Sequence, residues 1–366
     1  MVARRRLLKA AVLRRGPGFG ATTRLRADPA GVKRTPEPTS ADRVAALPAV
    51  ETAAAVAARE SGEPGDEAPG FAGFADSAQL PRTVCGTVVD VGPHVLVIGD
   101  ADYEQRFILT PDAVAWRGGL LEPAALRQGD KVVVRLHRGH RDVADRIWAN
   151  IGRVTGVIAE RAGNQLLIDE GATREPQHVI LHRHAAGRIQ VRFPTLEPGF
   201  LVDIIGRRHG DELVGLIPAT SQPSYPAGQV PAAPLISGRP PRAITGSATW
   251  HEPHSEAPGV LGVSYPALDP ETGCVEDAVT GARQSYGRMP YLAMGSVLRV
   301  RNDCTGRDCL VPITGCAPIA RLFNDRCVTC GTSPRGRIAD LTMATFIALG
   351  GELERGCFNA TLSIGE

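Results

Sequence analysis

The cysteines are the most unevenly spaced of the residues that can do chemistry. Seven of the eight lie in the last 93 residues, and Cys85 stands alone. Such clustering indicates a disulfide framework in an oxidising compartment or a metal site in a reducing one. Thr305 and Gly306 suit a tight hairpin turn, which would bring Cys304 and Cys309 together across two antiparallel strands. We therefore predict a disulfide between Cys304 and Cys309.

A zinc site is the alternative for the same cysteines. Cys327 and Cys330 have the Cys-x-x-Cys spacing of a zinc knuckle, and Cys304 with Cys309 could complete a set of four thiolates. Four residues separate Cys304 from Cys309, however, and that half-site is looser than usual. The disulfide framework is the favoured interpretation.

Histidines are a second candidate for metal binding. His182 and His184 alternate on a predicted strand and would share one face, but no carboxylate or cysteine lies at matching spacing. Solvated histidines are therefore the favoured interpretation, and we predict neither a metal nor any other cofactor. The histidines in this part of the chain are His137, His140, His178, His182, His184 and His209.

An internal repeat organises the middle of the chain. Short β-branched runs begin near Val84, and the pattern recurs without a gap at an offset of 70 residues. Each unit fits a small closed sheet of five or six strands, similar to an OB barrel. We expect both barrels to act as spacers. The matches are Gly86 with Gly156, Val88 with Ile158, Leu96 to Ile98 with Leu166 to Ile168, Leu126 with Leu196, Gly129 with Gly199, Val132 with Val202, and Ile147 with Ile217.

Composition sets the limits of the remaining segments. With 41 Gly, 29 Pro and 5% aromatic residues, the chain is typical of a mainly β protein. One stretch lacks any sustained apolar period, which predicts a disordered linker. Another is rich in Pro, which predicts a stiff linker. The predicted segments are 1–34, a basic N-terminus; 35–82, a disordered linker; 83–151 and 152–218, the two barrels; 219–245, the Pro-rich linker; and 246–366, a third barrel.

The N-terminus indicates export. Residues 1–34 hold ten Lys or Arg and one acid, Asp28, and Arg4 to Leu13 resemble a twin-arginine signal whose apolar stretch is cut short at Arg14. A disordered basic tail is the alternative. The sequence contains no run of 18 apolar residues, so it predicts no membrane-spanning helix. The rest of the chain has no basic face with interleaved aromatics, so nucleic acid is not an expected partner.

The last third combines three motifs in a fixed order. Gly-Ser-Ala-Thr-Trp ends at Trp250, an alternating strand from Gly295 to Val300 precedes the hairpin, and Arg-Ile-Ala-Asp-Leu-Thr at 337–342 leads into a helix with Thr342 as its N-cap. This order resembles the double-psi β-barrel of the rare lipoprotein A and expansin group. The resemblance covers about 120 of the 366 residues.

The resemblance implies a six-stranded double-psi β-barrel and a polysaccharide groove. Lytic transglycosylases of this family cleave peptidoglycan with an acid and a histidine. Those positions correspond here to Gly315 and Tyr286, so both catalytic groups are expected to be lost. Asp340 matches an aspartate that expansins also carry. It is our candidate catalytic residue, and the alternative is that it stabilises the following helix N-terminus.

We therefore expect an exported, extracellular or cell-wall protein that binds peptidoglycan or a related polysaccharide without cleaving it. The predicted ligand-binding residues are Trp250 and Tyr286 as stacking faces, with Arg337 and Asp340 as polar contacts. Trp250 as a core anchor is the alternative. Two other functions stay open: a lytic transglycosylase that uses a non-standard acid, and an intracellular zinc-stabilised interaction module.

Overall fold

Strands account for most of the residues that the structure describes. The computed structural model describes residues 80–100, 103–171, 174–221, 226–229, 242–252, 259–268, 289–317, 320, 323, 326–327, 331–332 and 336–364. All of them belong to one unit of contacting residues, Val50–Glu366. The predicted export signal and most of the predicted 35–82 linker lie outside the described residues. None of the helices in these ranges is long and apolar enough to cross a membrane.

Barrel 1 is a closed ring of five strands in the order β1-β2-β3-β6-β5. Its β3 and β6 are parallel, and the other pairs in the ring are antiparallel. A two-residue strand, β4, extends β3, and a single 3-10 turn, Pro123–Ala125, follows β4. The strands are β1 Thr83–Val91, β2 Val95–Asp100, β3 Tyr103–Trp116, β4 Leu120–Leu121, β5 Lys131–Leu136 and β6 Val143–Ala149.

Barrel 2 repeats this connectivity in the order β7-β8-β9-β11-β10. Its β9 and β11 form the parallel pair, and helix α1, Arg183–Arg192, connects β9 to β10. His184 therefore lies in a helix and not on a strand, which corrects the expected alternation with His182. The strands are β7 Ile151–Ala162, β8 Gln165–Asp169, β9 Gln177–Leu181, β10 Leu201–His209 and β11 Glu212–Pro218, after which comes a 3-10 turn, Ala227–Gln229.

The 70-residue offset is visible in individual hydrogen bonds. The Gly129 amide donates to the Val88 carbonyl at 2.9 Å, and the Gly199 amide donates to the Ile158 carbonyl at 2.8 Å. Both glycines have a left-handed backbone, with φ of 87° and 89°. Only glycine adopts this conformation without strain. The two barrels thus use the same turn before equivalent strands, β5 in barrel 1 and β10 in barrel 2.

Barrel 3 is a closed ring of six strands in the order β12-β18-β13-β15-β14-β19. Two of its neighbouring pairs are parallel, β12 with β18 and β13 with β15. A separate two-stranded sheet, β16 with β17, follows β15. The strands are β12 Ala243–His251, β13 Val263–Tyr265, β14 Val297–Asn302, β15 Asp308–Cys316, β16 Arg326–Cys327, β17 Gly331–Thr332, β18 Arg337–Thr342 and β19 Cys357–Ile364.

Helix α2, Met343–Ala348, begins directly after β18. The Thr342 side chain accepts a hydrogen bond from the Thr345 amide at 3.2 Å, which makes Thr342 the N-cap, as predicted. Gly350, with φ of 82°, stops the helix. Phe346 is fully buried in the core. A 3-10 turn, Leu353–Arg355, then leads to β19.

The three barrels pack directly against one another. One apolar cluster joins Trp148 of barrel 1 and Ile205 of barrel 2 to the core of barrel 3. Ion pairs reinforce this contact, because Arg135 and Arg146 of barrel 1 both bind Glu352, and Arg146 also binds Glu354. Barrel 1 is therefore anchored on the short segment that precedes β19, and a role as a mere spacer does not explain such packing.

The predicted disulfide between Cys304 and Cys309 is wrong. Cys309 is a buried thiol, whereas Cys304 and Cys316 are each in a disulfide. The reason is the register of the hairpin: Cys309 lies opposite Val300, and Cys304 lies beyond the end of β14 in a longer loop. The chain turns between Asn302 and Asp308, so the two cysteines are not cross-strand partners.

The repeated turn gives a stability prediction. Gly199→Ala should lower the free energy of unfolding by about 1–3 kcal/mol, because alanine is strained at positive φ. Gly119→Ala is the control, since Gly119 has no positive φ and open space where a Cβ would stand. It should change the stability by no more than about 0.5 kcal/mol. Urea denaturation of both variants measures the difference, and equal stabilities would contradict the assigned strain.

Candidate functional site

Four residues on neighbouring strands of barrel 3 form a polar row. Thr249 of β12 pairs with Asp340 of β18, Asp340 pairs with Ser264 of β13, and Ser264 pairs with Gly315 of β15. Paired residues point their side chains to the same face of a sheet. Ala339 and Leu341, which flank Asp340, are in the barrel core, so the row faces away from the core.

Asp340 is the only ionisable member of this row and is partly accessible. Its Oδ1 accepts a hydrogen bond from the Thr249 hydroxyl at 2.8 Å. Its Oδ2 lies 3.8 Å from Nδ1 of His251, and 17% of its side chain is exposed. The helix N-terminus that follows is capped by Thr342 instead. The alternative role of Asp340 in stabilising that helix end is therefore taken by another residue.

Charges around Asp340 keep it ionised. Burial alone would raise the pKa of its carboxyl, but the attraction of His251 and then of Arg153 and Arg337 outweighs burial. The pKa of Asp340 is consequently lowered below its ordinary value. An ionised carboxylate accepts hydrogen bonds and attracts cations, and it has no proton to donate at neutral pH.

The two arginines belong to a buried ion network between barrels 2 and 3. Asp203 of β10 is completely buried. It receives two hydrogen bonds from Arg153, at 2.9 and 2.6 Å, and one from Arg337 of barrel 3 at 2.5 Å. Arg153 also donates to the Gly356 carbonyl at 2.7 Å. One carboxylate thus joins both barrels, with its lone pairs satisfied.

The pKa of Asp203 reflects these contacts. Burial would raise it, but the charges and hydrogen bonds of Arg153 and Arg337 lower it below the ordinary value. The opposite case is Glu170 at the end of β8, where burial raises the pKa of the carboxyl although Arg174 lies 3.5 Å away. Two carboxyl groups of barrel 2 are therefore shifted in opposite directions: the pKa of Asp203 is lowered, and the pKa of Glu170 is raised.

Two predicted ligand contacts are corrected by their burial. Trp250 is 0% exposed, and its indole Nε1 donates to the Leu353 carbonyl at 2.8 Å. It is a core anchor, which was the alternative, and offers no stacking face. Arg337 is 1% exposed and lies over the Phe323 ring at 4.1 Å. Its guanidinium binds Asp203 and is not presented to a ligand. The other predicted stacking residue, Tyr286, lies outside the described residues.

The expected loss of the family's acid and histidine at Gly315 and Tyr286 stays a prediction. Gly315 does lie in the row, where a side chain would meet Ser264. Asp340 nevertheless has a histidine beside it, His251, which the sequence interpretation missed. His251 is two residues after Thr249 on the same strand, so alternation places both side chains on one face, and the pairing of Thr249 with Asp340 puts Asp340 on that face too.

Metal ligation finds no support among the side chains that the structure describes. Those residues contain no group of three or more His, Cys, Asp or Glu able to hold an ion. The proposed set of four thiolates also needs a reduced Cys304, whereas this cysteine is in a disulfide. The side chains of Cys327 and Cys330 lie outside the described part of the chain.

Comparison with known proteins does not add a family. No family model matches the chain, and no curated protein matches it. The likeness of barrel 3 to a known family therefore depends on motif order and strand order, and it stays a proposal.

The buried network gives a second stability prediction. Asp203→Asn should cost about 3–5 kcal/mol, because it leaves two buried arginines without their counter-charge. Asp308→Asn is the control. Its ion pair with Arg299 has both side chains 38% exposed, so the loss should stay below about 1 kcal/mol. Guanidinium denaturation measures the free energy of unfolding of both variants. An Asp203→Asn variant as stable as the unmodified chain would show that the network does not join the barrels.

Proposed function

We propose that this is an exported protein whose third barrel binds peptidoglycan or a related cell-wall polysaccharide without cleaving it. Barrel 3 is then a double-psi β-barrel of the rare lipoprotein A and expansin type. Its motif order and its closed ring of six strands with two parallel pairs support this assignment. The disulfides at Cys304 and Cys316 support an oxidising location.

Barrels 1 and 2 are, in this proposal, OB-like domains. When the five ring strands of each barrel are counted along the chain, the first is antiparallel to the fourth and the third is parallel to the fifth. In barrel 2 a helix fills the connection between the third and fourth strands. These features support the OB-like assignment.

The observation that carries the function is the polar row around Asp340. A glycan presents hydroxyl groups that both donate and accept hydrogen bonds, and the row offers the partly exposed carboxylate of Asp340, whereas Thr249 and Ser264 beside it are buried. Hydrogen bonds to a charged acceptor are about twice as strong as neutral ones. Asp340 thus provides the strongest single contact that the row can make.

The protonation state of Asp340 supports binding without cleavage. Breaking a glycosidic bond needs a proton donor at the leaving oxygen, usually a carboxylic acid of raised pKa. The pKa of Asp340 is shifted in the opposite direction. This carboxylate can hold a sugar hydroxyl but cannot protonate the bridge oxygen near neutral pH.

A lytic transglycosylase is the second candidate, and His251 favours it. Its Nδ1 lies 3.8 Å from Oδ2 of Asp340, so a protonated His251 could supply the proton that Asp340 lacks. The reaction would break the bond between the bridge oxygen and the anomeric carbon. His251 would protonate that oxygen, and the C6 hydroxyl of the same sugar would close the anhydro ring and release its proton to Asp340.

Purified cell-wall sacculi separate the two candidates. The full chain should pellet with sacculi, and Asp340→Asn should weaken that binding about tenfold or more because a charged acceptor is lost. Asp308→Asn, at an exposed site in the β14–β15 hairpin, is the control and should bind normally. Release of soluble anhydro-muropeptides that stops in His251→Ala would establish the enzyme. No binding and no product would reject both functions.

The pH dependence gives a separate test. Because the pKa of Asp340 lies below its ordinary value of 3.8, the carboxylate stays charged from pH 8 to pH 5. Sacculus binding should therefore be constant over that range and decrease only below about pH 4. Far-UV circular dichroism at each pH checks that the protein remains folded. A decrease between pH 7 and pH 5 would show that another group, such as a histidine, controls binding.

A further inference from the structure

Helix α1 of barrel 2 presents a basic face to solvent. Arg183, Arg188 and Arg192 are all exposed, and the helix contains no acidic residue. Within the described ranges, none of these three arginines forms an ion pair with a carboxylate. The whole chain has a net charge of only +2, so this concentration of positive charge is a local property of α1. We call the exposed side of the helix the α1 basic face.

The positive charges are spread along the helix and held outward. Arg188 follows Arg183 by five residues and precedes Arg192 by four, so the three Cα atoms span about 13.5 Å along the axis at about 1.5 Å per residue. Ala185 and Ile189, on the opposite side, are buried in the core of barrel 2. The α1 basic face is therefore an extended line of cations on a fixed support.

The middle of the α1 basic face breaks the rules of helix stability. Gly187 is exposed, and no atom lies within 4 Å of the place where a Cβ would stand. Glycine inside a helix is destabilising relative to alanine, and the packing of barrel 2 does not require it here. Arg183 stands in the first turn, where the helix dipole disfavours a cation. Local choices that oppose stability without a packing reason are typical of functional surfaces.

The shape and composition of the α1 basic face exclude two kinds of anionic partner. A single compact anion needs cations that converge on one point, whereas these are distributed along the axis. A membrane surface needs an exposed apolar side that can enter the lipid. The apolar side of α1 is already packed in barrel 2, and Val191, with 76% exposure, is the one large apolar side chain of this helix that is exposed.

Nucleic acids and proteins fit the α1 basic face less well than a simple polymer does. Single-stranded nucleic acid is held largely by bases stacked on aromatic side chains, and α1 contains no Phe, Tyr or Trp. Phe193, which follows the helix, is buried. A protein partner usually adds large anchors at the centre of the interface, and the centre of this face is Gly187.

We infer that the α1 basic face binds a linear polyanion whose phosphate or carboxylate groups repeat along the chain and which carries no bases. The planar guanidinium of arginine pairs with either group through two parallel hydrogen bonds. Gly187 lets the polymer backbone lie close to the helix between the arginines. This surface belongs to barrel 2 and does not involve Asp340, so the inference goes beyond the proposed function and is independent of it.

Two synthetic polymers of equal charge number test this inference and separate the two anionic groups. Fluorescence anisotropy measures the binding of labelled poly(glycerol phosphate) and labelled polyglucuronate to the full chain. The double variant Arg188→Gln with Arg192→Gln should weaken the binding of the preferred polymer at least tenfold. The slope of log affinity against log salt should also become shallower by about 1.4, because two contacts of about 0.7 each are lost, as for a single-stranded polyanion.

The matched control removes the same charge from another barrel. Arg127 and Arg141 of barrel 1 are exposed, and the double variant Arg127→Gln with Arg141→Gln should keep the affinity of the unmodified chain within about twofold. Equal losses in the two double variants would overturn the inference, since net charge alone would then explain the binding. No binding of either polymer to the unmodified chain would overturn it as well.

The class of polymer has its own test. Single-stranded DNA of the same charge number should bind no more tightly than poly(glycerol phosphate) at equal salt. DNA affinity at least tenfold higher would assign the α1 basic face to nucleic acid and overturn the base-free polymer.

Gly187 gives a measurement in which stability and binding change in opposite directions. Gly187→Gln should raise the urea midpoint, because glutamine is the better helix former. It should also weaken binding of the preferred polymer at least threefold, because the side chain fills the space that the polymer occupies. A variant that is more stable and binds as tightly as the unmodified chain would contradict close approach at Gly187 and overturn the assigned contact.

Discussion

The buried carboxylate of Asp203 is the contact on which the arrangement of barrels 2 and 3 depends. A charge removed from water is tolerated only when it is paired and its hydrogen bonds are made, and Asp203 meets both conditions through Arg153 and Arg337. Since one arginine belongs to each barrel, the pairing can be completed only when the two barrels are docked. The start of β18, and therefore the position of Asp340 on it, is set by this requirement.

The same arginines also act on the candidate site. Their charges reach Asp340 and help to lower its pKa, so the electrostatic field that joins the barrels also determines what the carboxylate can do. This coupling explains how the row can carry an aspartate that has no proton to donate at neutral pH. The chemistry of the row is thus a property of two barrels, although all of its four residues come from one.

Patterns of neighbouring residues predicted much of this fold, but they could not predict contacts between segments that are distant in the sequence. The 70-residue repeat, the Thr342 cap and the β14–β15 hairpin are all encoded by neighbouring residues, and each is present. Asp340 was singled out by its motif. His251 was missed because its role depends on a parallel pairing between strands about 90 residues apart. Trp250 and Arg337 were misassigned because residue type alone does not distinguish a buried side chain from an exposed one.

The segment Glu352–Gly356 receives contacts from both preceding barrels, through Arg135 and Arg146 on one side and Arg153 on the other. It is translated after both of them. Barrels 1 and 2 can close their own sheets while the chain is still being synthesised, but their docking surfaces must wait, with apolar area exposed, until this segment emerges from the ribosome. Docking therefore follows the closure of the individual sheets, and the chain is most vulnerable to aggregation in that interval.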